Sequence, residues 1–199
     1  MEKQATRDAY GKALVELGRL HDDIVVLDAD LSSSTRTAKF AQVFPERFFN
    51  AGIAEQNMVG MAAGMAAAGK VAFASSFAIF ATGRAFEQVR NSLAYANLNV
   101  KICATHSGIT VGEDGGSHQS VEDIAIMRSI PNLTVVVPSD GVSTRKALFS
   151  LYEHKGPAYL RLGRPALPVI YDDNLDFQIG HGIELRQGNA AAIIACGTM

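Results

Sequence analysis

The sequence predicts an α/β fold: an open, mostly parallel six-stranded sheet with helices on both faces. Short unbroken apolar runs alternate with longer segments in which apolar residues recur every three or four positions. Strands of a parallel sheet are buried on both faces and read as continuous apolar runs, whereas the covering helices keep the helical period. Polar residues follow the ends of many apolar runs, as expected where such a sheet binds ligands.

The helices and strands follow from these periods in chain order. The first helix spans 6–20, because its apolar residues have helical spacing, and Thr6 is its predicted N-cap. The first strand is the apolar run Ile24–Leu27. Five more strands are predicted at 47–50, 71–75, 100–105, 133–137 and 158–162. Five more helices are predicted at 35–43, 54–68, 80–97, 120–129 and 141–154.

The end of the sequence changes in character after the sixth strand. We assign 1–165 to the main domain and the polar, proline-containing segment 166–176 to a linker. Residues 177–187 suit a small hairpin or edge element, and 190–196 suit a buried strand followed by a glycine turn. We therefore expect 177–199 to begin a further, truncated α/β domain. The alternative is a tail that pairs with the main sheet.

Composition excludes two classes of partner. The 199-residue chain has 48% hydrophobic and 19% charged residues and a formal net charge of −2, without a basic stripe. Nucleic acids and membrane surfaces are therefore poor partners. The longest apolar stretches are about 12 residues, too short to span a bilayer. Two scattered cysteines and a polar N-terminus favour a cytoplasmic protein without disulfides.

Polar residues should gather at one edge of the sheet, beyond the carboxyl ends of the strands, where open parallel sheets bind ligands. The residues expected at this edge are Asp28, Asp30, Asn50, Glu55, Ser75, Ser76, Thr105, His106, Asp114, His118, Ser139, Asp140, Arg161 and Arg164.

Glu55 is the strongest single candidate for chemistry. It begins an apolar helix, where a carboxylate gains from the helix dipole and free N–H groups, so a purely capping role is one interpretation. The other starts from its apolar flanks. A glutamate in dry surroundings holds a proton more readily and can act as a general acid or hydrogen-bond donor. The residues alone leave both open.

Two further features lie at the same edge. Phe77 and Phe80 follow a strand end, where aromatic rings can stack on a flat ligand. The segment 106–118 has four glycines and no hydrophobic period, and loops of this length in compact domains are usually functional or disordered. Its histidines and carboxylates match no known metal-ligand spacing, so we expect no metal site on this chain.

Three stretches together resemble transketolase, and more narrowly its C-terminal section. They read GIAEQNMVGMAAGMA from Gly52, FASSFAIFATGRAFEQVRNS from Phe73, and ATHSGITVGEDGGSHQSVEDIAIMRSIPNLTVVVPSD from Ala104. The resemblance covers about residues 6–165 in order. The segment Ala190–Met199 resembles the first strand of the third transketolase domain.

The resemblance implies a thiamine-diphosphate site shared by two polypeptides or domains. Glu55 would hydrogen-bond a nitrogen of the aminopyrimidine ring and promote the tautomer that removes the thiazolium proton. Phe77 and Phe80 would stack on that ring, and His118 would lie near its amino group. Gly83 stands where the family has a third aromatic residue.

The resemblance also implies a sugar-phosphate substrate. His106 and Asp114 would contact sugar hydroxyls, and His106 and His118 would be catalytic together with Glu55. Arg36 and Arg164 would bind the phosphate, which suits the planar guanidinium. The implied reaction transfers a two-carbon ketol unit between sugar phosphates, in the pentose phosphate pathway.

One family motif is missing. The family holds the diphosphate through Mg²⁺ with a G-D-G motif and a downstream asparagine, and this sequence contains no G-D-G. The Mg²⁺ ligands are therefore expected on a partner, an N-terminal transketolase subunit or domain, in a homodimer or heterotetramer. The chain would be inactive alone.

Four other functions remain open on the sequence. A deoxyxylulose-phosphate synthase, or the beta subunit of a 2-oxoacid dehydrogenase, would share the fold and Glu55. A non-catalytic regulatory subunit would keep the fold without turnover. A flavodoxin-like domain would bind another cofactor and would need neither the glycine-rich loop nor a partner chain.

Overall fold

The computed structural model describes residues 2–197. Within this range, six parallel strands form the main sheet, and two short strands pair as a separate antiparallel ribbon. Numbered in chain order, the strands are β1 (Lys3–Ala5), β2 (Ile24–Asp28), β3 (Phe48–Asn50), β4 (Val71–Ser75), β5 (Val100–Ala104), β6 (Thr134–Val136), β7 (Ala158–Arg161) and β8 (Ala166–Pro168). The sheet order β3-β2-β4-β5-β7-β6 confirms the predicted fold class.

The helices largely follow the predicted periods. They are α1 (Thr6–Leu20), α2 (Ser32–Thr35), α3 (Ala38–Val43), α4 (Glu55–Ala67), α5 (Phe86–Gln88), α6 (Asp123–Arg128) and α7 (Gly141–Glu153). The predicted helix 80–97 consists of π-helical turns, Phe80–Arg84 and Val89–Tyr95, on either side of α5. The predicted helix 35–43 is interrupted because Arg36, with φ 72°, ends α2 in a left-handed conformation.

The predicted N-cap of α1 is wrong. Thr6 is the first helical residue, the cap position belongs to Ala5, and no side chain caps the helix there. The Thr6 hydroxyl instead accepts a hydrogen bond from the Gly163 backbone N–H at 2.8 Å and lies 3.3 Å from its carbonyl oxygen. The physical reason is tertiary: β1 runs directly into α1, and the Thr6 side chain binds the segment that leaves β7.

The core has two layers, one on each face of the sheet. Because side chains alternate along a strand, Leu27 faces the layer formed by α4 and the π-helical segment, while Val26 faces α1 and α7. Each fully buried aliphatic side chain contributes roughly 1.5–3 kcal/mol relative to exposure. The strand ends are thereby fixed, and with them the edge at which the polar residues lie.

The C-terminal segment differs from the prediction. Residues 166–168 form β8 against β1, and 177–187 form no hairpin. The predicted strand at 190–196 is absent from the described residues: these positions are irregular, and Ile193 and Ile194 are 94% and 97% exposed. An apolar run forms a buried strand only against a partner surface, and 2–197 offers it none. The domain boundaries stay a prediction, and its last residues, Thr198 and Met199, lie outside the described range.

Among residues 2–197, no helix combines the length and apolar character needed to cross a membrane.

Candidate functional site

Part of the predicted polar edge supports the fold rather than lining a cavity. Asp28 is buried at the end of β2 and accepts hydrogen bonds from the hydroxyls of Thr35 and Thr37 and from a backbone N–H. Burial raises its pKa above the ordinary value, although these bonds oppose the shift. Asp28 therefore fixes the segment α2–α3 to the sheet edge.

Arg161 and Asp140 likewise have structural partners. The Arg161 Nε lies 2.7 Å from the carboxylate of the fully buried Asp123, which also accepts a hydrogen bond from the Tyr159 hydroxyl. Asp140 caps α7 in a reciprocal capping box with Ser143. The predicted edge thus contains supports as well as candidate site residues.

A basic cavity of about 300 Å³ opens at this edge. It is lined by Arg7, Ser33, Ser34, Arg36, Phe77, His106, Glu113, Asp114 and Arg164. Four of the predicted substrate or catalytic residues, His106, Asp114, Arg36 and Arg164, are therefore brought together here. Phe77, which was predicted to bind the cofactor, lines the same cavity.

Arg7 is a site residue that the sequence analysis missed. Its Nη1 donates to the Ser34 carbonyl oxygen at 3.0 Å and lies 3.3 Å from His106 Nε2. Its buried Nε has no hydrogen-bond partner among the described residues. Burial is the main cause that lowers the pKa of Arg7, followed by the positive charge of Arg36. Arg7 is one of the polar positions in the predicted helix 6–20, and no local signal in the sequence marks it further.

The two predicted phosphate-binding arginines already have carboxylate partners. Arg36 Nε donates to Asp8 at 2.6 Å. Arg164 binds both oxygens of Glu113, at 2.7 and 3.0 Å, and also donates to the Val111 carbonyl oxygen. The hydrogen bonds from Arg164 lower the pKa of Glu113 to about 2. Of the three guanidiniums in the basic cavity, Arg7 alone has no carboxylate within ion-pair distance among residues 2–197.

His106 is held neutral in this cavity. Burial, and then the charge of Arg7, lower its pKa to about 4. A guanidinium can only donate, so His106 Nε2 accepts from Arg7 and the ring proton is on Nδ1, 2.9 Å from the Thr105 hydroxyl. His106 also has φ 56°, a left-handed conformation that few non-glycine residues adopt.

The glycine-rich loop that begins at this histidine is closed by backbone pairing. Gly108 pairs with Ser120 by two backbone hydrogen bonds, which close the loop at its base. Gly112 has φ 84°, and a Cβ atom there would collide with the guanidinium of Arg164. Glycine at this position therefore allows Arg164 to lie against the loop backbone.

Phe77, Phe80, His106 and His118 form an aromatic cluster, of which Phe77 and His106 also line the basic cavity. The rings of Phe77 and Phe80 are nearly parallel, at 10° and 5.9 Å between centroids, and His106 covers one face of Phe77 at 3.8 Å. His118 lies edge-on to Phe80 at 5.3 Å. At Gly83, where the resemblance implied a third aromatic residue, an added Cβ would meet no described atom within 4 Å.

Glu55 lines a second cavity, the Glu55 cavity, of about 690 Å³, together with Ile53, Ala54, Gln56, Asn57 and Arg84. Its side chain is only 5% exposed and forms an ion pair with Arg84, Nη1 to Oε1 at 3.0 Å. The Arg84 guanidinium in turn lies over the Phe80 ring, 4.0 Å from its centroid. Arg84, which the sequence analysis also missed, therefore connects Glu55 to the aromatic cluster.

The fold and these cavities define a class: an α/β domain with an open parallel sheet whose ligand site lies at the carboxyl ends of the strands. The match to the family model "Transketolase, pyrimidine binding domain" covers residues 2–169. The chain belongs to this family. The predicted relationship to transketolase is confirmed.

Individual relatives agree with this assignment. The chain is 57% identical over 193 residues to a transketolase C-terminal section from Methanocaldococcus jannaschii, covering 96% of this chain and 61% of that protein. It is 43% identical over its full length to the 6-deoxy-6-sulfo-D-fructose transketolase subunit SqwH of a Clostridium species, covering 62% of that protein. The chain thus spans about three fifths of these relatives.

A solved structure described as a split gene transketolase, inactive beta4 tetramer, superposes with a TM-score of 0.83 at 55% identity. The match covers 92% of this chain and 59% of that one.

Proposed function

We propose that this chain supplies the pyrimidine-side half of a thiamine-diphosphate site in a transketolase. The complete enzyme transfers a two-carbon ketol unit between sugar phosphates, in the cytoplasm and within the pentose phosphate pathway. The observation that carries the proposal is the aromatic cluster, which connects a cavity containing a buried acid to a basic cavity. A cofactor ring beside the acid and an anionic substrate beside the arginines would then be neighbours.

The residues present fit the cofactor ring. Glu55 is buried at the N-terminus of α4 and can hold a hydrogen bond to a ring nitrogen. Phe77 and Phe80 are parallel aromatic rings suited to stacking, and His118 lies at the edge of Phe80. Once bound, the cofactor supplies the electron sink for carbon–carbon cleavage. The chain's share is to orient the ring and to hold the proton at Glu55.

The basic cavity fits the substrate. Arg7 and Arg164, with Arg36 beside them, provide guanidiniums for a phosphate group, and Asp114 and neutral His106 can bind sugar hydroxyls. Because Glu113 occupies the fork of Arg164, we expect an arriving phosphate to displace it. A sulfonate is a second anion to test, since the Clostridium relative is named for a sulfo-sugar.

We assign the diphosphate and Mg²⁺ to a partner subunit, the N-terminal transketolase half. The sequence contains no G-D-G motif, which the transketolase resemblance implies for the Mg²⁺ site. The Glu55 cavity is open, which suits closure by a second polypeptide in a homodimer or heterotetramer.

The test is reconstitution. The chain is mixed with its N-terminal partner, thiamine diphosphate and Mg²⁺, and ketol transfer from a ketose phosphate to an aldose phosphate is measured. We expect turnover from the mixture and none from either chain alone. A well-folded complex without turnover would contradict the proposal and favour a regulatory chain.

A second measurement assigns the acid. We expect Glu55→Gln to slow hydrogen–deuterium exchange at the thiazolium carbon by at least about a hundredfold, a loss typical for removal of an acid–base group. The matched control is Glu87→Gln, an exposed glutamate in α5. Wild-type exchange in the Glu55 variant would contradict the assigned role.

A further inference from the structure

Arg84 contacts both the acid and one of the rings that we assign to the cofactor. Its Nη1 lies 3.0 Å from Glu55 Oε1, and its Cζ lies 4.0 Å from the centroid of Phe80. The guanidinium therefore fills the space between these two side chains. It is flat, delocalised and edged with N–H donors, so it stacks on aromatic faces and hydrogen-bonds to carboxylates.

The Arg84 backbone is anchored while its side chain is accessible. The Gln56 side-chain amide donates to the Arg84 carbonyl oxygen at 3.1 Å, which ties the π-helical turn to α4. Single π-helical turns occur frequently at functional sites. The Arg84 side chain is 53% exposed, whereas that of Glu55 is 5% exposed. Rotation about its side-chain bonds can thus carry the guanidinium into solvent without moving the backbone.

The ion pair has a clear electrostatic use in the free chain. A buried carboxylate without a partner is costly, and Arg84 supplies the opposite charge. The same contact opposes the proposed role of Glu55, because the guanidinium occupies the carboxylate oxygen that must face a ring nitrogen. The space between Glu55 and Phe80 can therefore hold either the Arg84 guanidinium or the aminopyrimidine ring of the cofactor.

We propose that Arg84 is a displaceable stand-in for the cofactor ring: it pairs with Glu55 and stacks on Phe80 in the free chain, and it rotates into solvent when thiamine diphosphate binds. This inference rests on the proposed function. Arg84 is thus a positioning residue that acts through Glu55. It keeps the buried acid paired before assembly and lowers the apparent affinity for the cofactor.

The test is the affinity for thiamine diphosphate with Mg²⁺, measured by titration calorimetry on the complex with the N-terminal partner. Arg84→Met removes the charge and the fork but keeps an apolar stem. We expect the Kd of this variant to fall about fivefold, the size expected for a partly exposed ion pair together with a cation–π contact. Arg84→Lys keeps the charge without the planar fork and should give an intermediate Kd.

The matched control is Arg90→Met, an exposed arginine in the following π-helical segment, which should leave the Kd unchanged. A double-mutant cycle tests the dependence on Glu55: in a Glu55→Gln background, Arg84→Met should lose most of its effect. A purely structural role for Arg84 would not produce this coupling. Melting temperatures of all variants establish that they are folded.

The outcomes separate the two proposals. If the wild-type complex binds no thiamine diphosphate, both proposals are overturned. If it binds and Arg84→Met leaves the Kd unchanged or raises it, only the role of Arg84 is overturned, because the arginine is then incidental or is itself a cofactor ligand. An equal fall in the Kd of Arg90→Met would overturn the role of Arg84 as well. The effect would then come from the loss of any nearby positive charge.

Discussion

The imidazole of His106 stacks on the ring of Phe77, with 3.8 Å between their centroids, while its Nε2 lies 3.3 Å from Arg7 Nη1. The ring is therefore covered on one face and bound at its edge by a cation. Burial of the ring, and then the charge of Arg7, disfavour a second proton on the imidazole.

The first prediction concerns the protonation of His106. We expect its ring to titrate near pH 4 in a nuclear magnetic resonance titration, well below the ordinary value of 6.5, because of burial and then Arg7. Arg7→Met should move this pKa toward 6.5, since it removes the nearest positive charge. An unchanged pKa in that variant would show that the charge of Arg7 does not contribute to the shift.

The low pKa of His106 also makes the free energy of unfolding depend on pH. Between about pH 4 and 6.5 the unfolded chain binds a proton at His106 that the folded chain does not. Folding stability should therefore fall as the pH drops through this window. In His106→Gln, the pH dependence of the urea midpoint should be shallower there.

The second prediction compares two arginines of the basic cavity. Losing a charge-assisted hydrogen bond costs about 1.5–3 kcal/mol. Arg7→Met should therefore raise the KM for a sugar phosphate about ten- to hundredfold in the assembled enzyme, with little change for an acceptor without phosphate. Arg36→Met should raise it less than about threefold, because Arg36 already pairs with Asp8. The reverse order would assign the phosphate to Arg36.

The third prediction concerns the buried acid of α6. Asp123→Ala removes the partner of Arg161 and of the buried Tyr159 hydroxyl, so we expect a loss of about 3–5 kcal/mol in the free energy of unfolding. The control, Glu16→Ala, breaks an exposed pair with Arg145 and should cost less than about 1 kcal/mol. Urea unfolding followed by circular dichroism measures both. Similar losses would contradict this ranking.

The fourth prediction concerns the cap of α7. Asp140 also accepts hydrogen bonds from the backbone N–H groups of Ile170 and Tyr171, at 2.9 and 3.0 Å. Asp140→Ala should cost about 1–2 kcal/mol and speed amide exchange at both residues. Asp172→Ala, which removes only an acceptor for Asn174, should not. Slow exchange at Ile170 in the Asp140 variant would mean that β8 holds this segment by itself.

Burial acts on the pKa of Asp140 in the opposite direction to its effect on the pKa of His106. Burial would raise the pKa of Asp140, but the hydrogen bonds from Ser143, Tyr171 and Ile170 together lower it below 3.8. Because the folded-state value is depressed, the stabilisation is fully present above pH 3.8. It is lost as the pH falls through the folded-state value.

The sequence predicted the sheet and its polar edge because both depend on local periodicity. Continuous apolar runs located β2 and β4, and helical spacing located α1 and α7. The same rules were insufficient where the backbone departs from regular geometry: the π-helical turns near Phe80 keep an ordinary helical pattern in the sequence. They were equally insufficient for 190–196, whose apolar character predicts a strand that needs a partner surface to form.

By itself the sequence determined the fold class, the relationship to transketolase, and Glu55, His106 and the Phe77–Phe80 pair as candidates. Only the tertiary structure decided which cations face these groups. Arg7 lies on an ordinary polar helix face and Arg84 in an ordinary helical pattern, so neither has a local signature. Each meets its partner, His106 or Glu55, across tens of residues of sequence, and such an encounter is set by packing rather than by period.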